Sequence, residues 1–438
     1  MENKKLHIAL LFGGNSSEHD VSKRSAHNIY DALDKDKYDV SVFMFTKKGF
    51  LLGNKDSMRI FDGENEDDVV AEVIKDVDFS NPLANIQNLA EVKDVDVFYP
   101  VIHGNMGEDG TVQGLFRLLN KPWIGSGVTS SGVSFDKDLT KKLLTLNGIR
   151  NTKYVLVTPE NKADYPYAKV AEELGETLFV KPARQGSSVG IHKVRNEEEY
   201  NAALEDGFKY DYKILVEEAI KNPREVECSV LGNRDIKASK LGAIRIPESD
   251  DFYDYNNKFV DASGVVFEMP IKLPEKLTKE IQQMSLDAFR ALDNRGLARM
   301  DFLVDENDVP YFGEVNTLPG FTNISLYPQL WEVSGISYSE LIDQLIQLAI
   351  DEFNDKGIQI ANAFLDVMRC KLTELGADST DAFASIFDNS HIEAEQYYMN
   401  ILSEDLKPIV SDLRNIHMKD SNTASDIDYQ SIVKNIID

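Results

Sequence analysis

The chain has 438 residues, a formal net charge of −27 at pH 7, 42% hydrophobic residues and two cysteines. So acidic a protein is a poor partner for nucleic acid or an anionic membrane surface, which both call for positive patches, and an anionic substrate would need a locally basic pocket. The length suits about two to four domains, and Cys228 and Cys370, far apart in sequence, form neither a disulfide framework nor a metal spacing, as expected of a reducing compartment.

The first apolar run, His7 to Phe12, is six residues long and ends in Gly-Gly. That is too short for a signal peptide or a membrane span, so it predicts a buried strand in a cytoplasmic protein. Up to residue 136, strand and helix signals alternate: LHIALLF, a glycine turn, the helix SKRSAHNIYDAL, then YDVSVFMF and DVDVFYPVIHG. Such alternation predicts a parallel α/β layer. The turn GGNSSEHDVS, Gly13 to Ser22, falls at the carboxyl end of a strand, where these sheets bind ligands; Glu18 within it can anchor a substrate ammonium. A second loop, HGNMGEDGTVQG from His103 to Gly114, is too rich in glycine for the interior of an element.

From 137 to 218 the residues suit a triphosphate. Lys137 follows GSGVTSSGVSFD, and Lys181 ends the strand TLFVK before PARQGSSVGI. Lysines beside a Gly/Ser loop offer point charges for phosphate oxygens and backbone N–H groups that can approach them. From 219 to 352 strands and helices return, and LARMDFLVD with VPYFGEVN predicts a hairpin closed by DEND. On such strands Glu314 and Asn316 share one side, as do Arg299 and Asp301, with Met300 and Phe302 on the apolar face. Asp301, Glu314 and Asn316 are the hard oxygen donors that Mg²⁺ takes beside phosphate oxygens and water. Before the hairpin, PESDDFYDYNNKFVDASG, Pro247 to Gly264, is polar, aromatic and aperiodic; loops this long are usually functional.

Arg299-x-Asp301 followed by Glu314-Val-Asn316-Thr-x-Pro-Gly320, together with KPxxxGSSxG from Lys181, resembles the ATP-grasp enzymes and specifically the D-alanine:D-alanine ligase family, over roughly residues 5 to 352. The resemblance implies a mixed α/β (α+β) ATP-grasp fold of three domains, 1–136, 137–218 and 219–352, with a helical extension over 353–438. It implies ATP as substrate, with Asp301, Glu314 and Asn316 binding two Mg²⁺ or Mn²⁺ ions. Lys137, Lys181 and a lid lysine, Lys258, would meet the phosphates. Glu217 would lie by the hinge strand ILVEEAI that bonds adenine, and Glu225 would accept from the ribose hydroxyls. Glu18 would hold the amino group of the first D-alanine, with His103 at the base of the first-substrate loop and Ser187 orienting substrate. Arg299 and the Gly320 N–H would form an oxyanion hole, and Ser325 and Leu326 would meet the second substrate's carboxylate. Members of the family are commonly homodimers.

Phe259 departs from the family's commonest pattern, which has tyrosine there, bonded to the residues matching Ser187 and Glu18. Loss of that hydrogen bond is worth about 1–3 kcal/mol, or about 5- to 150-fold in preference. Members with phenylalanine resemble ligases of vancomycin-resistant lactic acid bacteria, so D-lactate is the expected second substrate and D-alanyl-D-lactate the product, with the D-alanyl-D-alanine dipeptide as the alternative. A non-catalytic ATP-binding protein on this fold should have lost a metal ligand or phosphate lysine, and none is lost; a dehydrogenase should show GxGxxG after the first strand, where this chain has GGNSSE. The tail has helical apolar spacing in GIQIANAFLDVMRCKLTEL, TDAFASIFD and EAEQYYMNILSEDLKPIVSDL, and no metal or nucleotide motif.

Overall fold

The structure, a computed structural model, describes residues 5–245 and 266–374. The chain divides between Ala349 and Ile350 into two units, and the elements that build the site belong to the first. β1 (Leu6–Gly13), β2 (Tyr38–Phe45) and β3 (Val97–Pro100) form a parallel sheet in the order β2-β1-β3. Ile8 to Phe12 of the central strand are at most 1% exposed, the unbroken apolar run of a parallel strand covered on both faces. At its carboxyl end the backbone turns through Gly13 and Gly14 with φ of +85° and +102°, and a Cβ on Gly13 would sit 2.2 Å from the Phe45 carbonyl oxygen. Only glycine lets the chain turn there into the helix His19–Ala32.

β4 (Tyr154–Val157), β5 (Leu178–Pro182), β6 (His192–Val194) and β7 (Ile214–Glu218) make an antiparallel sheet in the order β4-β7-β5-β6. Leu178 and Val180 of β5 enter a core closed by Val170, Tyr200 and Leu204 of the helices Tyr167–Leu174 and Glu197–Gly207. Because strand side chains alternate, Lys181 lies on the opposite face.

The third sheet contains β8 (Arg224–Gly232), β9 (Lys237–Arg245), β10 (Val266–Glu268), β11 (Gly296–Val304) and β12 (Pro310–Asn316), ordered β10-β9-β8-β11-β12. The expected hairpin is present: β11 and β12 pair antiparallel, with Arg299 opposite Asn316 and Asp301 opposite Glu314. Met300 and Phe302 are buried with Cys228 and Phe312 against Ile281 and Phe289 of the helix Glu275–Ala291 and Leu144 of the helix Lys137–Leu146. That packing sends the polar residues of both strands to the other face.

The last helix runs Tyr338–Glu374, where the sequence reading separated SYSELIDQLIQLAIDEF from GIQIANAFLDVMRCKLTEL. No proline falls between them, and one interior glycine, Gly357, costs only about 1 kcal/mol against alanine. No helix among the described residues is long and apolar enough to cross a membrane. The rest of the tail, and the Pro247–Gly264 segment with Lys258 and Phe259, lie outside the described residues.

Candidate active site

A cavity of about 1510 Å³ receives residues from the second and third sheets and from the turn, helix and loop that follow strands of the first. Glu18, His103 and Ser187 line it together with Lys137, Lys181, Glu217 and Glu225. Arg299, Asp301, Glu314 and Asn316 come from the hairpin, and Gly320, Ser325 and Leu326 from the loop and helix after it. Every residue that the sequence singled out for chemistry and that is described faces this one cleft.

On the hairpin the Arg299 guanidinium forks onto Asp301, with Nε to Oδ1 and Nη2 to Oδ2 both at 2.8 Å. Its Nε also lies 2.9 Å from Glu227 Oε2 on β8. Burial opposes the arginine's charge, but Asp301 and Glu227 hold its pKa well above the ordinary value. Asn316 donates its amide N–H to Asp301 Oδ2 at 2.9 Å, which leaves its amide oxygen on the same side as Glu314. Two carboxylates opposite in register and an amide oxygen fit a hard divalent cation with room for phosphate oxygens. Downstream, Ser325 precedes the helix Leu326–Ser334, whose N-terminal N–H groups suit a carboxylate. A Cβ on Gly320 would stand 2.7 Å from Ser325 Oγ, so a larger residue there would make the Ser325 side chain move.

The lysines are held by groups that sequence alone did not connect to them. Asp136 caps the helix Lys137–Leu146, accepting from the N–H groups of Asp138 and Leu139, and Lys213 ties Asp136 to Asp138 at 2.9 and 2.8 Å. Lys137, the first helical residue, thereby points into the cleft, with Nζ 2.6 Å from the Gln185 carbonyl and 3.6 Å from Glu314. Lys181 reaches Glu217 at 2.9 Å. In the glycine loop Ser187 and Ser188 have φ of +52° and +60°, a conformation that costs non-glycine residues about 1–3 kcal/mol and gathers at functional sites. The buried Ser187 Oγ has no hydrogen-bond partner among the described residues, an orphan that suits a substrate group.

Glu108 is the site residue that the sequence reading passed over. Its Oε2 accepts from the Gly104 N–H at 2.8 Å and its Oε1 from the Leu318 N–H at 2.9 Å. Beside it His103 donates Nδ1–H to the Leu318 carbonyl at 2.8 Å, and its Nε2 faces Ser25 Oγ, which accepts from the Phe321 N–H. Burial lowers the His103 pKa, consistent with a neutral ring. Together they brace the loop that carries Gly320. Burial, reinforced by the Glu18 charge, pushes the Glu108 carboxyl up to about 8, against the pull of its two N–H donors. The only cue was an acid within a glycine loop; one of its two partners, Leu318, lies 210 residues downstream.

Glu108→Gln keeps one acceptor and sets an amide N–H₂ against a backbone N–H. Its catalytic efficiency is expected to fall about 5- to 150-fold, read by steady-state kinetics. The native carboxyl binds its proton more tightly than an unfolded glutamate, so wild-type stability should drop relative to Glu108→Gln as pH rises from about 4.5 to about 8. Parallel stability curves from chemical denaturation would contradict this.

The sequence matches the family model described as D-ala D-ala ligase C-terminus over residues 143–347 and that of the D-ala D-ala ligase N-terminus over 7–126. A protein of Ligilactobacillus salivarius (strain UCC118) named "D-alanine--D-alanine ligase" is 99% identical over 355 residues, 81% of this chain and 94% of that protein. The D-alanine-D-alanine ligase from Coxiella burnetii superposes with a TM-score of 0.69 at 35% identity, covering 82% of this chain and all of that one. The Bacillus anthracis D-alanine ligase complexed with ATP gives a TM-score of 0.61 at 31% identity, covering 80% and 98%. These names overturn the expectation of D-lactate as second substrate, and with it the link to vancomycin resistance: relatives 99, 69 and 68% identical carry the name of the dipeptide-forming enzyme. The physical reason lies in what phenylalanine at 259 can do, since removing a phenol deletes one hydrogen bond without creating any group that recognises a hydroxy acid. With both halves matched by the family models and ATP-grasp structures as neighbours, the chain is an ATP-dependent ligase and belongs to the D-alanine:D-alanine ligase family.

Proposed function

We propose that this protein joins two molecules of D-alanine into D-alanyl-D-alanine, with conversion of ATP to ADP and phosphate, in the cytoplasm and as a homodimer, for peptidoglycan precursors. The observation that carries this reading is the single cleft in which an ammonium anchor (Glu18), phosphate lysines (Lys137 and Lys181) and the Arg299–Asp301–Glu314–Asn316 set meet. Adenine lies against β7 near Glu217, and the ribose hydroxyls donate to Glu225. Lys137 and Lys181 neutralise triphosphate charge and orient the γ-phosphate toward the first D-alanine, while Glu18 holds that substrate's ammonium and Ser187 orients it. Its carboxylate attacks the γ-phosphorus, giving D-alanyl phosphate and ADP. The neutral amine of the second D-alanine, its carboxylate at the Leu326–Ser334 helix start, attacks the acyl carbonyl; Arg299 and the Gly320 N–H stabilise the oxyanion, and phosphate leaves. Asp301, Glu314 and Asn316 would hold Mg²⁺ or Mn²⁺ ions, which would supply Lewis-acid neutralisation of the phosphoryl oxygens.

Incubation of purified protein with ATP, Mg²⁺ and D-alanine should yield ADP and D-alanyl-D-alanine in equal amounts by mass spectrometry. ADP without dipeptide, or a depsipeptide as the main product when equimolar D-lactate is added, would overturn the reading.

A further inference from the structure

At the cleft wall lies a buried ion cluster in which Lys141 and Thr152, neither used by the mechanism above, stand behind Glu217 and Lys181. Glu217, on β7, is 4% exposed and Lys141, on the helix Lys137–Leu146, is 2% exposed. Lys141 Nζ donates to the Thr152 carbonyl at 3.0 Å and to Thr152 Oγ1 at 2.6 Å, and lies 3.4 Å from Glu217 Oε1. Thr152 Oγ1 passes its own hydrogen to Glu217 Oε2 at 3.1 Å. Two of the ammonium's protons thus have acceptors on Thr152, and its charge is paired with Glu217. Lys181 approaches the same carboxylate from the cleft side, its Nζ 2.9 Å from Oε2 and its side chain 19% exposed. One anion thus sits between two cations, one sealed inside and one facing the ligand space.

We propose that Lys141 is a positioning residue for the nucleotide: it holds the Glu217 carboxylate in place from behind, so that Lys181 can leave Glu217 for a phosphate oxygen. The inference rests on reading the cleft as the ATP site. Were Lys181 the sole partner, its departure would strand a buried carboxylate, and an unpaired buried charge is strongly unfavourable. With Lys141 and Thr152 in place the carboxylate keeps one cation and one hydroxyl throughout. Burial alone would raise the Glu217 pKa, yet the two lysines hold it well below the ordinary value. The same burial lowers the Lys141 pKa, opposed by Glu217, so each member of the buried pair supports the other's charge. Glu217 fixed in this way remains beside adenine while Lys181 swings.

The test is Lys141→Met, which keeps an unbranched apolar stem and removes the charge. KM for ATP, and the Kd of ATP by calorimetry in the presence of Mg²⁺, should rise about 5- to 150-fold, with KM for D-alanine unchanged. In a Glu217→Gln background the same substitution should have little further effect on ATP affinity, because the anion it compensates is gone. A merely structural lysine would move the D-alanine and ATP constants together and show no coupling to Glu217, which would overturn the proposal. If Lys141→Met does not fold, Thr152→Val carries the test: it removes the hydroxyl between lysine and carboxylate, and ATP affinity unchanged in that variant would likewise overturn it. Failure of the wild type to bind ATP would instead defeat the ligase reading itself, so the two failures are told apart.

Discussion

Replacing Arg299 by lysine is expected to lower kcat for dipeptide formation by about 10²- to 10³-fold, the usual effect of losing one oxyanion donor, while leaving KM for ATP near its wild-type value. The fork to Asp301 and the contact to Glu227 fix the guanidinium plane at three short distances, and an N–H aimed into the cleft needs that plane. Lysine retains the positive charge but has no fork, so it can satisfy one carboxylate well and present no oriented donor to the acyl carbonyl. Alanine would be a poorer probe. It would leave Asp301 and Glu227 facing each other without their cation, and stripping a buried pair of one partner costs about 3–5 kcal/mol of stability, which would mix folding with catalysis. Pre-steady-state measurement with Arg299→Lys separates the half-reactions: ADP should still form in a first turnover, and dipeptide should lag far behind it. A lysine variant whose dipeptide kcat matches wild type would remove Arg299 from the oxyanion role.

What could be read along the chain was whatever depends on short-range periodicity. The β11–β12 hairpin, with Asp301 and Glu314 facing each other, follows from period-two alternation and a polar turn, and the parallel β1 follows from one apolar run ending in glycines. Glu108 and Lys141 could not be read, because their meaning comes from partners distant in sequence: Leu318 closes onto Glu108, and Glu217 onto Lys141. Neither residue stands out in a chain with 74 acidic and 47 basic side chains. Helical spacing was legible on both sides of Gly357, but the continuity of the Tyr338–Glu374 helix across it was not. The expectation of D-lactate rested on one residue type, phenylalanine at 259, and a deleted hydrogen bond does not by itself specify a new nucleophile.

Glu314→Gln is expected to be the most damaging change that leaves the fold intact. Glu314 is 38% exposed at its side chain and stands opposite Asp301, with Lys137 3.6 Å away, so the amide fits the same volume and no core contact is lost. The site nevertheless loses one of its two carboxylates. Even outer-shell changes at metal sites weaken affinity by about 10- to 100-fold, and a direct ligand should exceed that; the Lewis-acid contribution at stake is several kcal/mol, which at ~1.4 kcal/mol per decade is about 10²- to 10³-fold in kcat. The Mg²⁺ concentration for half-maximal rate should therefore rise more than tenfold, and excess Mg²⁺ should recover only the part of the loss that reflects affinity. ATP titrated without metal should bind the variant no more weakly than wild type, since removing an anion near Lys137 relieves repulsion of the triphosphate. That opposite sign is the discriminating feature: a carboxylate that served only to pair with Lys137 would leave the Mg²⁺ midpoint where it was, whereas a metal ligand moves the midpoint and spares metal-free nucleotide binding.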